Sequence, residues 1–448
     1  MRLKIILIIT LLASGLAFGQ QPLLRKPKDT AFEKFEPVVA PKSSSLLLKK
    51  GDRLAICGDS ITEQKMYSRI MEDYLTMCVP ELEVTVRQYG WSGERAPGFL
   101  GRMTNDCLRF KPTVATTCYG MNDHEYRPYE DRIGQTYRVT SERIVEAFKA
   151  NHVRFVQGSP GCVGKIPSWV KSATGTVEDL NLSLCRLRNI GIGIAREENV
   201  RFADVFWPMF TAGIEGQKRY GADYAIAGKD GVHPGWAGQT VMAYAFLKAL
   251  GVNGNLGTFI VDLNKNKMRT SAGHELISAK DGEFQIRSAR FPFCACLPEG
   301  QATSGYPVRG QDEPGKDSSI RSAMTLIPFN EDLNRLTLMA RKGPAQRYAV
   351  TWGTETKTFS AGELARGVNL AEQFPCNPFC EAFAKVDAAV AAKQAYETKQ
   401  IKERFHGPGA RENLDAIAMQ TESERAPLAA AIKSAFAPVT HTIKIVPQ

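Results

Sequence analysis

Histidine is scarce in this chain. Its 448 residues include six, His124, His152, His233, His274, His406 and His441, so a reaction that needs an imidazole has few places to happen. Past the N-terminus no run has the length and apolarity to cross a bilayer. The 57 basic and 47 acidic residues are scattered rather than gathered into a basic run with interleaved aromatics, which makes nucleic acid a poor partner. There is no internal repeat and nothing collagenous. Neither a metal nor a cofactor is expected: Cys294, Cys296, Cys376 and Cys380 lack a zinc finger's spacing and have no histidine close by.

What is present begins with an export signature. Arg2 and Lys4 precede the apolar run from Ile5 to Leu12, and the small residues Ala17 and Gly19 stand where a signal peptide is cut. Residues 1–19 are read as a secretory signal cleaved after Gly19, so the protein is expected to be secreted or periplasmic. No cysteine follows the cut, which leaves a lipid anchor without an attachment site. Losing Arg2 and Lys4 takes two from the formal charge of +10, and the remainder supports only a mild affinity for acidic polymers. Ten cysteines, an even number in an exported chain, predict some disulfides. Cys57 and Cys118, at the ends of predicted strands, read instead as small buried hydrophobes.

The length exceeds what one core usually holds. Residues 20–45, rich in Pro, Lys and Ser, form a leader. From 46 to 251 strands alternate with helices: strands over 53–57, 83–89, 113–119, 154–158 and 201–206, helices over 64–78, 97–110, 131–150 and 177–199, then a loop and a last helix over 234–250. This order predicts an α/β fold, a parallel sheet covered on both faces, with binding groups just past the strands' carboxyl ends. Residues 252–375 carry short strands at 258–263, 283–289, 324–328, 336–340 and 346–351, a β-rich accessory region. Residues 376–448 read as a helical tail: a helix over 378–404, a second opened by Pro427, and a terminal strand over 441–446.

The strand ends hold the chemistry. After the first comes Gly58-Asp-Ser-Ile-Thr-Glu63 at a strand-to-helix turn, where free helix amides can face an anionic group. Taken alone the hexapeptide is as readily an ordinary helix cap. After the second comes Tyr89-Gly-Trp-Ser-Gly-Glu-Arg95, where Gly93 lets a backbone N–H approach a ligand. After the third comes Gly120-Met-Asn-Asp123, where Asn122 offers an amide donor; both are also common turn formers. Only His233 lies in Asp230-Gly-Val-His-Pro, just before the last helix. An Asp three residues earlier can hold Nδ1 and leave Nε2 free to take a proton. Glu94, Arg95, His124, Glu125 and Arg127 flank the second and third motifs as possible substrate contacts, and Trp91 as a sugar-stacking or packing residue.

These four blocks, in this order and at these strand ends, resemble the SGNH (GDSL-type) hydrolases over roughly residues 46–251. The resemblance implies a flavodoxin-like three-layer α/β/α fold, with Ser60 as nucleophile, His233 as base and Asp230 as its support. The Ser60 N–H, the Gly93 N–H and the Asn122 side chain would form the oxyanion hole. The second block departs from many relatives, which carry an asparagine before its first glycine. The implied activity is hydrolysis of esters, and export with a β-rich appendage points to deacetylation of a polysaccharide or glycan. A general short-chain or lipolytic esterase and a non-catalytic glycan-binding surface protein are the alternatives.

Overall fold

Strand β1 (Arg53–Gly58) turns Leu54 and Ile56 to one core and Ala55 and Cys57 to another, all of them buried, so its sheet must be covered on both sides. In the computed structural model, which describes residues 26–43, 45–295 and 315–448, it is. The signal expected over 1–19 and Cys296 lie outside the described residues. With β2 (Thr85–Gly90), β3 (Val114–Cys118), β4 (Arg154–Gly158) and β5 (Arg201–Ala203), β1 forms a sheet in the order β2-β1-β3-β4-β5, every pair parallel.

Helices α1 (Ser60–Glu63), α2 (Tyr67–Met77) and α7 (Trp236–Ala249) add their apolar residues to the core that holds Ile56. Helices α3 (Ala96–Asp106) and α4 (Asp131–Ala150) build the core that holds Cys57. Helix α5 (Val177–Glu197) reaches both, through Leu184 and Leu187, and α6 (Phe206–Tyr220) joins the first. The result is a three-layer α/β/α domain whose strand order reverses between β1 and β3, the place where open sheets of this kind leave a crevice for ligands.

The remainder is two sheets and a helical tail. The strands are β6 (Asn255–Asp262), β7 (Lys267–Thr270), β8 (His274–Lys280), β9 (Glu283–Ser288), β10 (Arg335–Arg341), β11 (Arg347–Trp352), β12 (Glu355–Ser360), β13 (Val368–Asn369) and β14 (Val439–Pro447). Among them run the short helices α8 (Ile320–Met324), α9 (Phe329–Leu333), α10 (Ala361–Arg366) and α11 (Leu370–Gln373). One sheet has the order β13-β10-β6-β7 and the other β12-β11-β14-β9-β8, so the last strand of the chain sits in the middle of its sheet. Helix α12 (Cys380–Lys399) passes through a π-helical stretch, Gln400–Phe405, into α13 (Pro408–Ala435).

Helix α12 covers the edge of the parallel sheet at β2. The buried Lys393 donates to the Val86 carbonyl at 2.5 Å and pairs with Glu72 at 2.7 Å and Glu397 at 3.1 Å. Glu397 in turn accepts from the Gln88 N–H, and Arg69 pairs with Asp387. An open edge strand is a template for unwanted pairing; here its groups are occupied by side chains of the tail. A cavity of about 690 Å³ opens under α13 beside the start of β2, walled by Thr85, Arg425 and Ile432 among others and by none of Ser60, Asp230 and His233.

Three elements differ from their sequence reading. The loop expected after β5 contains α6, with Gly213 and Gly216 inside it. Both are close-packing positions, where a Cβ would lie 2.5 Å from Ile226 and from Tyr224. The strand expected at 324–328 is the end of α8 and a turn, because Ser319 caps a helix there. Pro427 lies inside α13 rather than at a helix start; the carbonyl it deprives of a partner belongs to the exposed Ser423, where water serves. The leader does more than lie on the surface, since Phe32 and Phe35 pack their rings on Trp207 and Phe210. Cys57 and Cys118 are buried thiols as expected.

The two accessory sheets are joined by a chain of hydrogen bonds. Trp352 Nε1 lies 3.1 Å from His441 Nδ1, His441 Nε2 3.0 Å from Ser288 Oγ, Ser288 Oγ 2.8 Å from His274 Nδ1, and His274 Nε2 2.8 Å from the Leu256 carbonyl. The indole can only donate and the carbonyl only accept, so each group donates to the next and both imidazoles are neutral. A further proton on either would face another donor. Burial, with the neighbouring His274 adding to it, pushes His441 down to about 3; burial also holds His274 below its usual range.

Because the unfolded chain takes up these protons first, the stabilisation is whole above the unfolded value of 6.5 and is lost as pH falls toward the folded one. Between pH 7 and 4.5 His441 alone should remove about 2–3 kcal/mol, read as a falling urea midpoint. His441→Gln keeps a donor and an acceptor without titrating and should flatten that fall.

Candidate active site

Strand β1 ends at Gly58 and the chain turns at once into α1, with Asp59 as its cap. The Asp59 side chain accepts the Ile61 N–H at 2.9 Å, and Ser60 becomes the first helical residue, its hydroxyl at the switch point of the sheet. Burial raises the Asp59 carboxyl to about 7 against the pull of that N–H. The end of β2 is pressed against the same turn: a Cβ on Gly90 would lie 2.2 Å from the Glu63 nitrogen, so only glycine fits.

The loop before α7 brings an imidazole. His233 Nε2 lies 2.8 Å from Ser60 Oγ and His233 Nδ1 lies 2.7 Å from Asp230 Oδ2. Asp230 Oδ1 accepts the backbone N–H groups of Val232 and His233, so its carboxylate is fixed before it meets the ring. Burial lifts this carboxyl, but those two N–H groups and the imidazole outweigh burial and hold it below the ordinary range. An anionic Asp230 keeps the proton on Nδ1 and turns the Nε2 lone pair to the hydroxyl.

Two further loops face this row. Trp91 to Glu94 is a turn closed by the Glu94 N–H on the Trp91 carbonyl at 3.1 Å, with Gly93 at φ +76 in its third place, a type II geometry that favours glycine. Asn122 follows β3 and donates to the Glu94 carbonyl at 3.0 Å, while its oxygen accepts from Tyr126 at 3.2 Å. An amide carries two N–H bonds, and one remains after Glu94 is served. Asp123 ties the same loops by accepting from Ala96 and Gly120, and burial raises its carboxyl to about 6.

The structure thus brings Ser60, Asp230 and His233 into one hydrogen-bonded row, and joins the loops of Gly93 and Asn122 to each other. The flanking charges are a different matter. Glu94 is buried, clamped by Arg102 through two bonds of 2.7 Å and by Tyr119. His124 is buried with Nδ1 on the Met121 carbonyl, and burial pushes it down to about 4. Arg95 pairs with Glu125, and Arg127 with Glu125 and Glu130. Glu94 is therefore spent on the protein, His124 is closed off from solvent, and Arg95 is the most exposed of the five.

Sequence reading passed over Trp169. It lies in the loop after β4, 47% exposed, with its ring stacked on that of His233 at 5.6 Å and 30°. The rule that singled out the loops after the first three strands applies to this one too. Glu63, Lys402 and His406 were also missed as neighbours of the site, the last two because they lie more than 300 residues away in sequence.

Over residues 56–241 the chain matches the GDSL-like Lipase/Acylhydrolase family. Comparison with curated proteins gives no match. Among solved structures, a gut microbial diltiazem-metabolizing enzyme superposes with a TM-score of 0.69 at 21% identity, covering 91% of this chain and 100% of that one. The likeness of fold therefore extends through the accessory sheets. Axe2, an acetylxylan esterase from Geobacillus stearothermophilus, aligns at 23% identity with a TM-score of 0.37 over 46% of this chain and 97% of its own. LAE5, an alpha/beta hydrolase enzyme from the metagenome of Lake Arreo, aligns at 20% identity with a TM-score of 0.38 over 46% and 98%.

Asp230→Asn offers a direct test of the row. Its oxygen can still accept the two backbone N–H groups, but its amide would donate to Nδ1 and put the proton on Nε2, facing Ser60. Turnover of nitrophenyl acetate should fall about 10³- to 10⁴-fold with an unchanged melting midpoint.

Proposed function

Residues 56–241 being a domain of the GDSL-like lipase/acylhydrolase family, and the protein accordingly a serine hydrolase of ester bonds, we propose that it is an exported O-acetylesterase acting on a polysaccharide or glycan through Ser60, His233 and Asp230. The observation that carries the chemistry is the 2.8 Å contact of His233 Nε2 with Ser60 Oγ, backed by Asp230.

A serine hydroxyl is a weak nucleophile unless a base is in reach. In this reading His233 takes the proton as Oγ attacks the ester carbonyl. The oxyanion is met by the N–H groups of Ser60 and Gly93 and by the Asn122 amide. His233 then hands its proton to the departing alcohol oxygen, and water, activated the same way, releases the acid from Ser60. The alcohol must leave past the imidazole, and there stands the exposed Trp169. A flat apolar face with an accessible edge is what stacks on a sugar ring, which favours a glycan alcohol. Ile166, 40% exposed and three residues earlier in the same loop, adds aliphatic surface to that loop and favours the second reading, a short-chain or lipolytic esterase.

Acetate release from a set of acetylated polysaccharides should be abolished by Ser60→Ala, and a preference for octanoate over acetate would retire the glycan reading. Asn122→Ala should fold and lose about 10²- to 10³-fold in kcat. Trp169→Ala should raise KM several-fold for acetylated oligosaccharides and leave ethyl acetate unaffected. A fluorophosphonate probe should phosphonylate Ser60, Oγ displacing fluoride as His233 takes the proton; no labelling of the folded protein would favour a glycan-binding role.

A further inference from the structure

The turn that presents Gly93 is held from the far end of the chain. The peptide leading into it is fixed by the Trp91 N–H on the Gly58 carbonyl at 3.0 Å. Its first peptide, Trp91–Ser92, is fixed by the Ser92 N–H on the Glu63 carboxylate. Glu63 is itself gripped by Lys402, whose Nζ lies 2.8 Å from one carboxylate oxygen and 2.9 Å from the other. Burial lifts the Glu63 carboxyl, but Lys402 and Ser92 outweigh it and keep it anionic.

The same Lys402 stands 5.4 Å from the centre of the Trp91 ring, against which His406 packs edge-on at 4.8 Å. His406 Nε2 is anchored 2.8 Å from Asp106, which pairs with Arg102, the clamp on Glu94. Every residue of the turn but Gly93 is therefore pinned, and two of the pins come from the π-helical stretch and its exit. Types I and II of a four-residue turn differ by a flip of the central peptide, here Ser92–Gly93, and that flip reverses where the Gly93 N–H points.

We propose that Lys402, acting through Glu63, is a positioning residue for the oxyanion hole: it fixes the turn in the form that aims the Gly93 N–H at the developing oxyanion. The inference rests on the esterase reading of Ser60. It adds that the domain over 56–241 is catalytically incomplete without the tail, because one of its donors is set by a residue some 340 positions away from Glu63. The interaction is felt when charge builds on the carbonyl oxygen, not when the neutral ester binds, so it belongs to kcat.

The test uses the full chain. Lys402→Met keeps the aliphatic stem over Trp91 and removes the charge; kcat for nitrophenyl acetate should fall at least tenfold with KM within twofold and the melting midpoint preserved. Lys402→Arg, which can still bridge both carboxylate oxygens, should restore most of the rate. Glu63→Gln should lose a similar factor, and the double variant should be no slower than the worse single one, since both act along one path. Fluorophosphonate labelling separates the two readings. A wild type that is not labelled at Ser60 overturns the esterase reading and this inference with it. A labelled wild type with a Lys402→Met variant of equal kcat overturns this inference alone. So does a loss that Lys402→Arg fails to restore, or that is fully additive with Glu63→Gln.

Discussion

A lysine with 1% of its side chain exposed has given up the water around its ammonium, and the arrangement around Lys393 replaces that water with protein groups. Two carboxylates and a strand carbonyl surround it, one of the carboxylates shared with Arg425. Removing one member of such a cluster strands the others, typically at about 3–5 kcal/mol, so α12 can sit on β2 in one register only. From that register the rest follows. The parallel sheet loses its open edge, the π-helical stretch arrives at the second loop of the site, and α13 is led back so that the terminal strand can enter its sheet.

The six histidines divide by what surrounds them rather than by sequence context. His233 keeps one nitrogen on a carboxylate and the other on a hydroxyl, with part of its ring open to solvent. His274 and His441 are neutral links in a buried relay that orders two sheets. His124 packs against Tyr126 within the loop that carries Asn122, and His406 braces Trp91. His152 occupies a turn at φ +58. The same side chain bridges a carboxylate and a hydroxyl, relays between two sheets and braces a ring, and of these the bridging His233 keeps part of its ring open to solvent.

Much of the parallel domain was legible because each of its strands is short, apolar and bounded by turn residues, and because the helices between them repeat at helical spacing. The row of Ser60, Asp230 and His233 was legible for a related reason: all three lie at strand or helix ends, where sheet topology gathers them. Helix α6 was read as a loop, although Gly213 and Gly216 pack closely within it. Pro427 misled because a helix tolerates proline where the orphaned carbonyl meets water. Trp169 was within reach of the strand-end rule and was passed over; Lys402 was out of reach for a different cause, since its place beside Glu63 comes from tertiary structure and no local pattern marks a lysine that will reach back so far.

The central place of β14 carries a consequence for how the protein comes into being. β9 and β11 do not pair with each other; each pairs with β14, so the last nine residues of the strand order supply the seam of that sheet. A nascent chain can build the five parallel strands early, yet the accessory layer cannot close until residues 439–447 have emerged.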